Sequence, residues 1–86
     1  MEIEKILHSY ICEMYLRTDD RHLLNSDTPL LTSGIIDSIG ILGLINFIET
    51  RFGIEFMPRE LDRDRLETID RICTAVRGKL KIRESQ

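Results

Sequence analysis

The sequence predicts an all-α domain, a four-helix bundle with a long first loop and a short third helix. Apolar residues recur at helical spacing in three long stretches, and no segment alternates with the two-residue period of a strand. Turn-forming residues mark the breaks between the stretches, at Pro29, Gly34, Gly53 and Pro58. Because 86 residues suffice for one core, a single domain over residues 1–86 is expected.

The first helix is expected to run from about Glu2 to Arg17. Its apolar residues share one helical stripe: Ile3, Ile6, Leu7, Tyr10, Ile11 and Met14. Glu2 and Glu4 suit the positive N-terminal end of the helix dipole. Cys12 falls opposite the stripe, so an exposed thiol is expected there.

A loop of about twenty residues, from Thr18 to Asp37, follows this helix. Loops of this length are usually functional or held in place by their own side chains. Thr28-Pro29 and Ser33-Gly34 supply turns. Several apolar residues can pin the loop to the core, namely Leu23, Leu24, Leu30, Leu31, Ile35 and Ile36.

The second helix is expected over 38–52, with Asp37 as its N-cap and Gly53 as its C-terminal stop. One face carries apolar residues at helical spacing and should be buried: Ile41, Leu44, Ile45, Ile48 and Phe52.

A short third helix is expected over 58–64, because Pro58 is a residue preferred in a first turn. The last helix should cover 68–80, and the tail 81–86 should be frayed. The buried residues of the last helix are expected to be Ile69, Ile72, Cys73, Val76 and Leu80.

Composition excludes several classes of function. A formal net charge of −3 gives no basic footprint for nucleic acid. No apolar run is long enough for membrane insertion, and the acidic start lacks a signal pattern, so a cytoplasmic protein is expected. The 2 cysteines are too few for a disulfide scaffold or a zinc site, so two free thiols and no bound metal are expected.

The tripeptide Asp37-Ser38-Ile39 places a serine hydroxyl at the first position of a helix, directly after an acid. A phosphate at such a helix N-terminus should gain from the unpaired backbone N–H groups and from the helix dipole. A catalytic serine would need a base, but His8 and His22 are the only histidines and neither is placed beside Ser38 by the pattern. Ser38 is therefore expected to be modified rather than catalytic, and no catalytic residue is assigned. A plain pair of capping residues is the alternative.

The context of Ser38 resembles a known family. TPLLTSGIIDSIG at 28–40, ETRFGIEF at 49–56 and LETIDRI at 66–72 are similar to the acyl carrier and peptidyl carrier proteins. The resemblance covers residues 1–80 and implies a bundle of the acyl-carrier type.

The resemblance also implies a covalent cofactor, 4′-phosphopantetheine, esterified to Ser38 by a phosphopantetheinyl transferase. Asp37 would both cap the helix and help the transferase. The chain would then be a monomeric carrier, not an enzyme, that shuttles acyl or aminoacyl thioesters. Its further partners would be a cargo-loading ligase or acyltransferase and downstream synthase enzymes of fatty acid, polyketide or nonribosomal peptide synthesis.

Apolar residues on the outward side of the second helix predict a docking patch, formed by Ile39, Leu42, Gly43 and Asn46. Fatty-acid-type carriers bear several acids on this helix, but here Gly40 and Gly43 occupy two such positions. The glycines indicate either tolerated drift or a close approach by a partner or by the cargo arm. The scarcity of acids favours a specialised pathway and a more apolar contact.

A second class of function shares the same pattern. A small helical adaptor that binds proteins without a prosthetic group would have the same fold, exposed apolar patch and acidic balance. Modification of Ser38 distinguishes the two.

Overall fold

A computed structural model describes residues 2–17 and 24–84 of the chain. It contains four α-helices: α1 (Glu2–Ile11), α2 (Gly40–Phe52), α3 (Arg63–Leu66) and α4 (Ile69–Glu84). A π-helical turn, Cys12–Leu16, extends α1, and a 3-10 turn, Pro58–Glu60, precedes α3. Within these two ranges the chain forms no strand, and the predicted all-α, four-helix architecture is confirmed.

The core draws on α1, α2, α3, α4 and the loops between them, with α4 in contact with the other three helices. Its buried residues are Ile3, Leu7, Ile11, Cys12, Leu24, Leu30, Ile36, Leu44, Ile45, Ile48, Ile54, Phe56, Leu66, Ile69, Ile72, Cys73 and Val76. Each fully buried aliphatic side chain contributes about 1.5–3 kcal/mol. In the part of the chain that the structure describes, no polar or charged residue is buried.

The end of α1 differs from the prediction of one regular helix to Arg17. Over Cys12–Leu16 the helix widens to π geometry, and the turn closes at Arg17, whose N–H donates to the Cys12 carbonyl. In π geometry two residues five apart in sequence lie on the same side of the helix, whereas in an α-helix they lie roughly 140° apart around the axis. The residue that faces the core is therefore the half-buried Tyr15 and not Met14, which is 57% exposed.

The expectation of an exposed Cys12 is wrong, because Leu24 of the first loop is held against this side of the first helix and is buried with it. The His8 Nε2–H donates to the Leu24 carbonyl at 2.5 Å, and the Cys12 Sγ lies 3.9 Å from the His8 Nδ1. Cys12 is fully buried as a result. Cys73 is buried as predicted, and burial raises the pKa of its thiol. Neither Cys12 nor Cys73 forms a disulfide bond.

The loop that leads to α2 is attached to the α3–α4 junction by Glu67. The Leu30 N–H donates to the Glu67 carbonyl at 2.7 Å, and the Thr32 N–H donates to the Glu67 Oε1 at 3.0 Å. A further bond joins the Asp70 N–H to the Ser26 carbonyl at 3.0 Å. Leu24, Leu30 and Ile36 are buried, whereas residues 18–23, with Leu23 and His22, lie outside the described residues.

The third helix predicted over 58–64 is two shorter elements. The backbone leaves helical geometry at Leu61 and is extended at Asp62, whose Oδ1 accepts a 2.9 Å hydrogen bond from the Arg65 N–H. Leu61 therefore ends the 3-10 turn, and Asp62 caps α3 as a new helix.

The prediction of a frayed tail over 81–86 is wrong for residues 81–84, because α4 continues to Glu84, while residues 85–86 lie outside the described residues. Lys81, Arg83 and Glu84 are good helix formers, and no Pro or Gly follows Leu80 to stop the helix.

Candidate functional site

The N-terminus of α2 is built around the Asp37 carboxylate. Its Oδ1 accepts hydrogen bonds from the Ile39 N–H at 3.1 Å and from the Gly40 N–H at 2.6 Å. The Asp37 carbonyl accepts a third bond, from the Ile41 N–H, at 3.0 Å. This is the geometry of an N-capping side chain.

Regular α-helix begins at Gly40, two residues later than the predicted start at Ser38. The Leu42 N–H donates to the Ile39 carbonyl at 3.1 Å, in the 3-10 pattern, instead of to the carbonyl four residues back. Ser38 and Ile39 therefore form a tight turn between the capping residue and the helix.

Ser38 lies on this turn and is exposed. His8 is engaged with the Leu24 carbonyl and the Cys12 thiol, and His22 lies outside the described residues. Over residues 2–17 and 24–84, no three or more His, Cys, Asp or Glu side chains form a cluster that could hold a metal ion. The hydroxyl is thus reachable by another protein, which is what a site of covalent modification requires.

Unpaired N–H groups were expected to help hold a phosphate on Ser38, and the hydrogen bonds of the first turn correct this expectation. The Ile39 and Gly40 N–H groups are taken by the Asp37 side chain, and those of Ile41 and Leu42 by backbone carbonyls. A phosphate on Ser38 would interact with the helix dipole but could not accept hydrogen bonds from these four N–H groups.

Gly40 is closely surrounded by the rest of the chain. The Tyr15 Oη donates to the Gly40 carbonyl at 2.7 Å. A Cβ added at Gly40 would lie 3.1 Å from both the Tyr15 Cε1 and the Asp37 Oδ1, and 3.4 Å from the Ile36 Cγ2. At Gly43 the nearest atom would be the Tyr15 Oη, at 3.5 Å. The close approach that the glycines permit is therefore made by Tyr15.

Tyr15 is held in turn by an aromatic cluster that joins α1 to α2. The Tyr15 and Tyr10 rings meet edge to face with centroids 6.0 Å apart, and the Tyr10 and Phe47 rings stack at 3.7 Å. Burial, with smaller effects from Tyr10 and the negative Asp37, raises the pKa of Tyr15 to about 12. The phenol is therefore a neutral hydrogen-bond donor at physiological pH.

Tyr15 was missed by the sequence analysis because an α-helical period places Met14, not Tyr15, on the inward stripe. The sequence contained one signal of this contact, which is the pair of glycines three residues apart on α2. Such a pair leaves a gap on the helix surface that a large side chain can fill.

The predicted docking patch lies on the open side of α2. Ile39 is 80% exposed and Leu42 is 65% exposed, while Gly43 and Asn46 are also exposed. The opposite side of α2 packs into the core through Leu44, Ile45 and Ile48. An apolar surface of this kind at a helix N-terminus suits contact with another protein.

The two acids of this region serve the chain's own backbone. Asp37 caps the first turn of α2, and the Glu49 Oε2 accepts a 2.9 Å hydrogen bond from the Phe56 N–H. Glu49 is half-buried. Along α2 these carboxylates therefore have a structural role beside any contact with a partner.

Comparison with known proteins identifies the class of site. The family described as "Phosphopantetheine attachment site" matches residues 6–83, which is most of the chain. The chain belongs to this family. Its members carry 4′-phosphopantetheine covalently, and this carrier domain accordingly bears that group and is not an enzyme.

A solved structure supports the fold of the carrier domain. A chain from "Crystal structure of FAD-dependent dehydrogenase" superposes with a TM-score of 0.71 at 24% sequence identity, covering 80% of this chain and 96% of that one. At this identity the likeness shows the fold alone.

As a member of this family, the carrier domain interacts with modifying and biosynthetic enzymes. Among the described residues, no helix combines the length and the apolar character that crossing a membrane requires. The family assignment favours the carrier over the adaptor, because an adaptor has no prosthetic group.

Proposed function

We propose that Ser38 is the residue that carries 4′-phosphopantetheine, and that the chain shuttles acyl or aminoacyl thioesters between partner enzymes. The observation that supports this most directly is the exposed Ser38 hydroxyl on the tight turn at the start of α2, inside the matched residues 6–83. The bound group supplies a thiol on a long arm. The chain supplies a rigid attachment point and a surface by which enzymes select it.

The attachment is a phosphoryl transfer to a hydroxyl. The Ser38 oxygen forms a bond to the phosphorus that bears the pantetheine of coenzyme A, the bond from that phosphorus to the adenosine bisphosphate breaks, and the serine proton passes to a base of the transferase. Asp37 lies directly before Ser38 and uses its Oδ1 in capping. A carboxylate has a second oxygen, through which Asp37 would assist the transferase.

The docking patch of Ile39, Leu42, Gly43 and Asn46 is proposed as the surface that partners recognise. The partners are a phosphopantetheinyl transferase, a cargo-loading ligase or acyltransferase, and a downstream synthase. Because Gly40 and Gly43 carry no charge and Glu49 is bound to the Phe56 N–H, the contact is mainly apolar. A specialised acyl, polyketide or aminoacyl pathway fits this surface better than bulk fatty-acid synthesis.

The chain is further proposed to act as a single carrier domain and as a monomer in the cytoplasm. The described helices share one core, which supports the single domain. A sedimentation measurement at working concentration tests the monomer.

The test of the proposal is modification in vitro. The unmodified protein is incubated with coenzyme A and a promiscuous phosphopantetheinyl transferase, then weighed intact. We expect one phosphopantetheine adduct on the wild type, none on Ser38→Ala, and one on the control Ser33→Ala. Ser33 is an exposed serine of the same loop. An unmodified wild type, or an adduct retained by Ser38→Ala, contradicts the proposal.

A further inference from the structure

The peptide groups on either side of Gly40 are held by two different elements. Its N–H donates to the Asp37 Oδ1 at 2.6 Å, and its carbonyl accepts from the Tyr15 Oη at 2.7 Å. Asp37 precedes Ser38 directly, whereas Tyr15 comes from the π turn that ends α1. Ser38 therefore lies on a turn that is fixed at its start by Asp37 and at its end by Tyr15.

The hydrogen bonds within this turn do not fix its conformation alone, so a contact from another part of the chain is needed. Its hydrogen bonds mix the α pattern, from the Ile41 N–H to Asp37, with the 3-10 pattern, from the Leu42 N–H to Ile39. The two patterns are close in energy over a short stretch and differ in the direction in which side chains point. A donor fixed on the Gly40 carbonyl selects one of these arrangements.

Tyr15 is suited to this restraint because it is itself immobilised. Its ring packs edge to face on Tyr10, which stacks on Phe47 of α2. Glycine at residue 40 lets the ring approach closely, since a Cβ there would lie 3.1 Å from the Tyr15 ring and one of the two would have to shift. The hydroxyl, the aromatic cluster and the glycine thus form one fitted contact.

We infer that Tyr15 is a positioning residue for the modification of Ser38. It acts through the Gly40 carbonyl, which keeps the Ser38 hydroxyl in the orientation that the transferase requires, and it touches none of the reacting atoms. This inference rests on the proposed function of Ser38. It adds a residue of the π turn Cys12–Leu16 to a site whose other members all come from the Ser38 turn and from α2.

The inference predicts a specific kinetic pattern for Tyr15→Phe. The ring and its packing remain, but the Gly40 carbonyl loses the hydrogen bond from the Tyr15 hydroxyl, so the first turn can adopt more than one arrangement. The docking patch on the open side of α2 is unchanged, so KM for the carrier should stay within about twofold while kcat falls roughly threefold to tenfold, the range that one neutral hydrogen bond corresponds to.

The experiment measures phosphopantetheinyl transfer at saturating coenzyme A and varied carrier, for wild type, Tyr15→Phe and Val76→Ala. Val76 is a fully buried core residue of α4, so its truncation should lower thermal stability, and the hydrogen bonds of the first turn of α2 are made by other residues. Amide hydrogen exchange of Gly40, Ile41 and Leu42 is measured on the same proteins. Tyr15→Phe should lower kcat and speed exchange at these amides, whereas Val76→Ala should lower the melting temperature and leave kcat unchanged.

Three results would overturn the inference. These are an unchanged kcat in Tyr15→Phe, a rise in KM instead of a fall in kcat, and a loss of kcat in Val76→Ala that matches its loss of stability. An unmodified wild type would instead refute the proposed role of Ser38, so the two failures are distinguishable.

Discussion

The Glu67 carboxylate accepts a hydrogen bond from the Thr32 N–H at 3.0 Å, so the junction of α3 and α4 holds the loop that leads to Ser38. The Glu67 carbonyl accepts a second bond, from the Leu30 N–H, at 2.7 Å. One residue thus anchors this loop both through its side chain and through its backbone.

A pH dependence of stability follows from this anchor. The hydrogen bond from Thr32 lowers the pKa of Glu67. A carboxylate whose folded pKa is depressed contributes stability above its unfolded pKa, and that contribution is lost as pH falls through the folded value. We expect Glu67→Gln to melt below the wild type at pH 7, with a gap that narrows at pH 3–4.

Glu55→Gln is the control for Glu67→Gln, because Glu55 is an exposed carboxylate. Its melting temperature at pH 7 should be close to that of the wild type. A gap between Glu67→Gln and the wild type that stays constant with pH would show that the carboxylate charge has no part in anchoring the loop.

The three helical glycines should respond differently to alanine. At Gly78 a Cβ would meet nothing within 4 Å, and at Gly43 only the Tyr15 Oη at 3.5 Å. Gly43→Ala and Gly78→Ala should each raise the free energy of unfolding by about 0.5–1 kcal/mol, because alanine favours helix.

Gly40→Ala should not gain this stability. Its Cβ would lie 3.1 Å from Tyr15 and from Asp37, and both side chains are held by hydrogen bonds that they would lose on moving. We expect it to be at least about 1 kcal/mol less stable than Gly78→Ala in chemical denaturation. Equal gains at Gly40 and Gly78 would contradict the fitted contact with Tyr15.

The two proposed roles of Asp37 can be separated by two substitutions. Asp37→Ala removes the cap and should lower the free energy of unfolding by about 1 kcal/mol, as well as impairing modification. Asp37→Asn keeps a capping oxygen, so its stability should be close to that of the wild type while its modification remains slow. The measurements are denaturant unfolding and the rate of adduct formation. A wild-type rate for Asp37→Asn would remove the role in the transferase reaction.

Leu42 tests the docking patch, because it is 65% exposed on α2. A charge at this position should weaken turnover by partner enzymes on the order of tenfold, as expected for an apolar residue central to an interface. Circular dichroism of Leu42→Glu should match that of the wild type. Thr50→Glu places the same charge on an exposed position near the end of α2 and should retain normal turnover. Lost helicity in Leu42→Glu would mean that the side chain belongs to the core.

The regular helices could be predicted from the sequence because burial there follows the α-helical period. Leu44, Ile45 and Ile48 on α2, and Ile69, Ile72 and Val76 on α4, lie in the core as the spacing indicates. The exposure of Ser38, Ile39 and Leu42 follows from the same period, since these residues lie outside the buried face.

Contacts between distant segments could not be predicted in the same way. Tyr15 turns inward because the helix widens to π geometry, and no local pattern signals this. Cys12 is buried because the loop at Leu24 crosses a face that the helical stripe leaves polar. Glu67 anchors the loop through backbone groups 35 or more residues away in sequence, which carry no side-chain signature.

Fragment-ion mass spectrometry of the protein isolated from its native host tests whether the Ser38 oxygen is the attachment point of the prosthetic group. We expect a single phosphopantetheine on Ser38 in the peptide that spans the loop and the start of α2. A fully unmodified peptide from that source, or a phosphopantetheine located on any other residue, would contradict it.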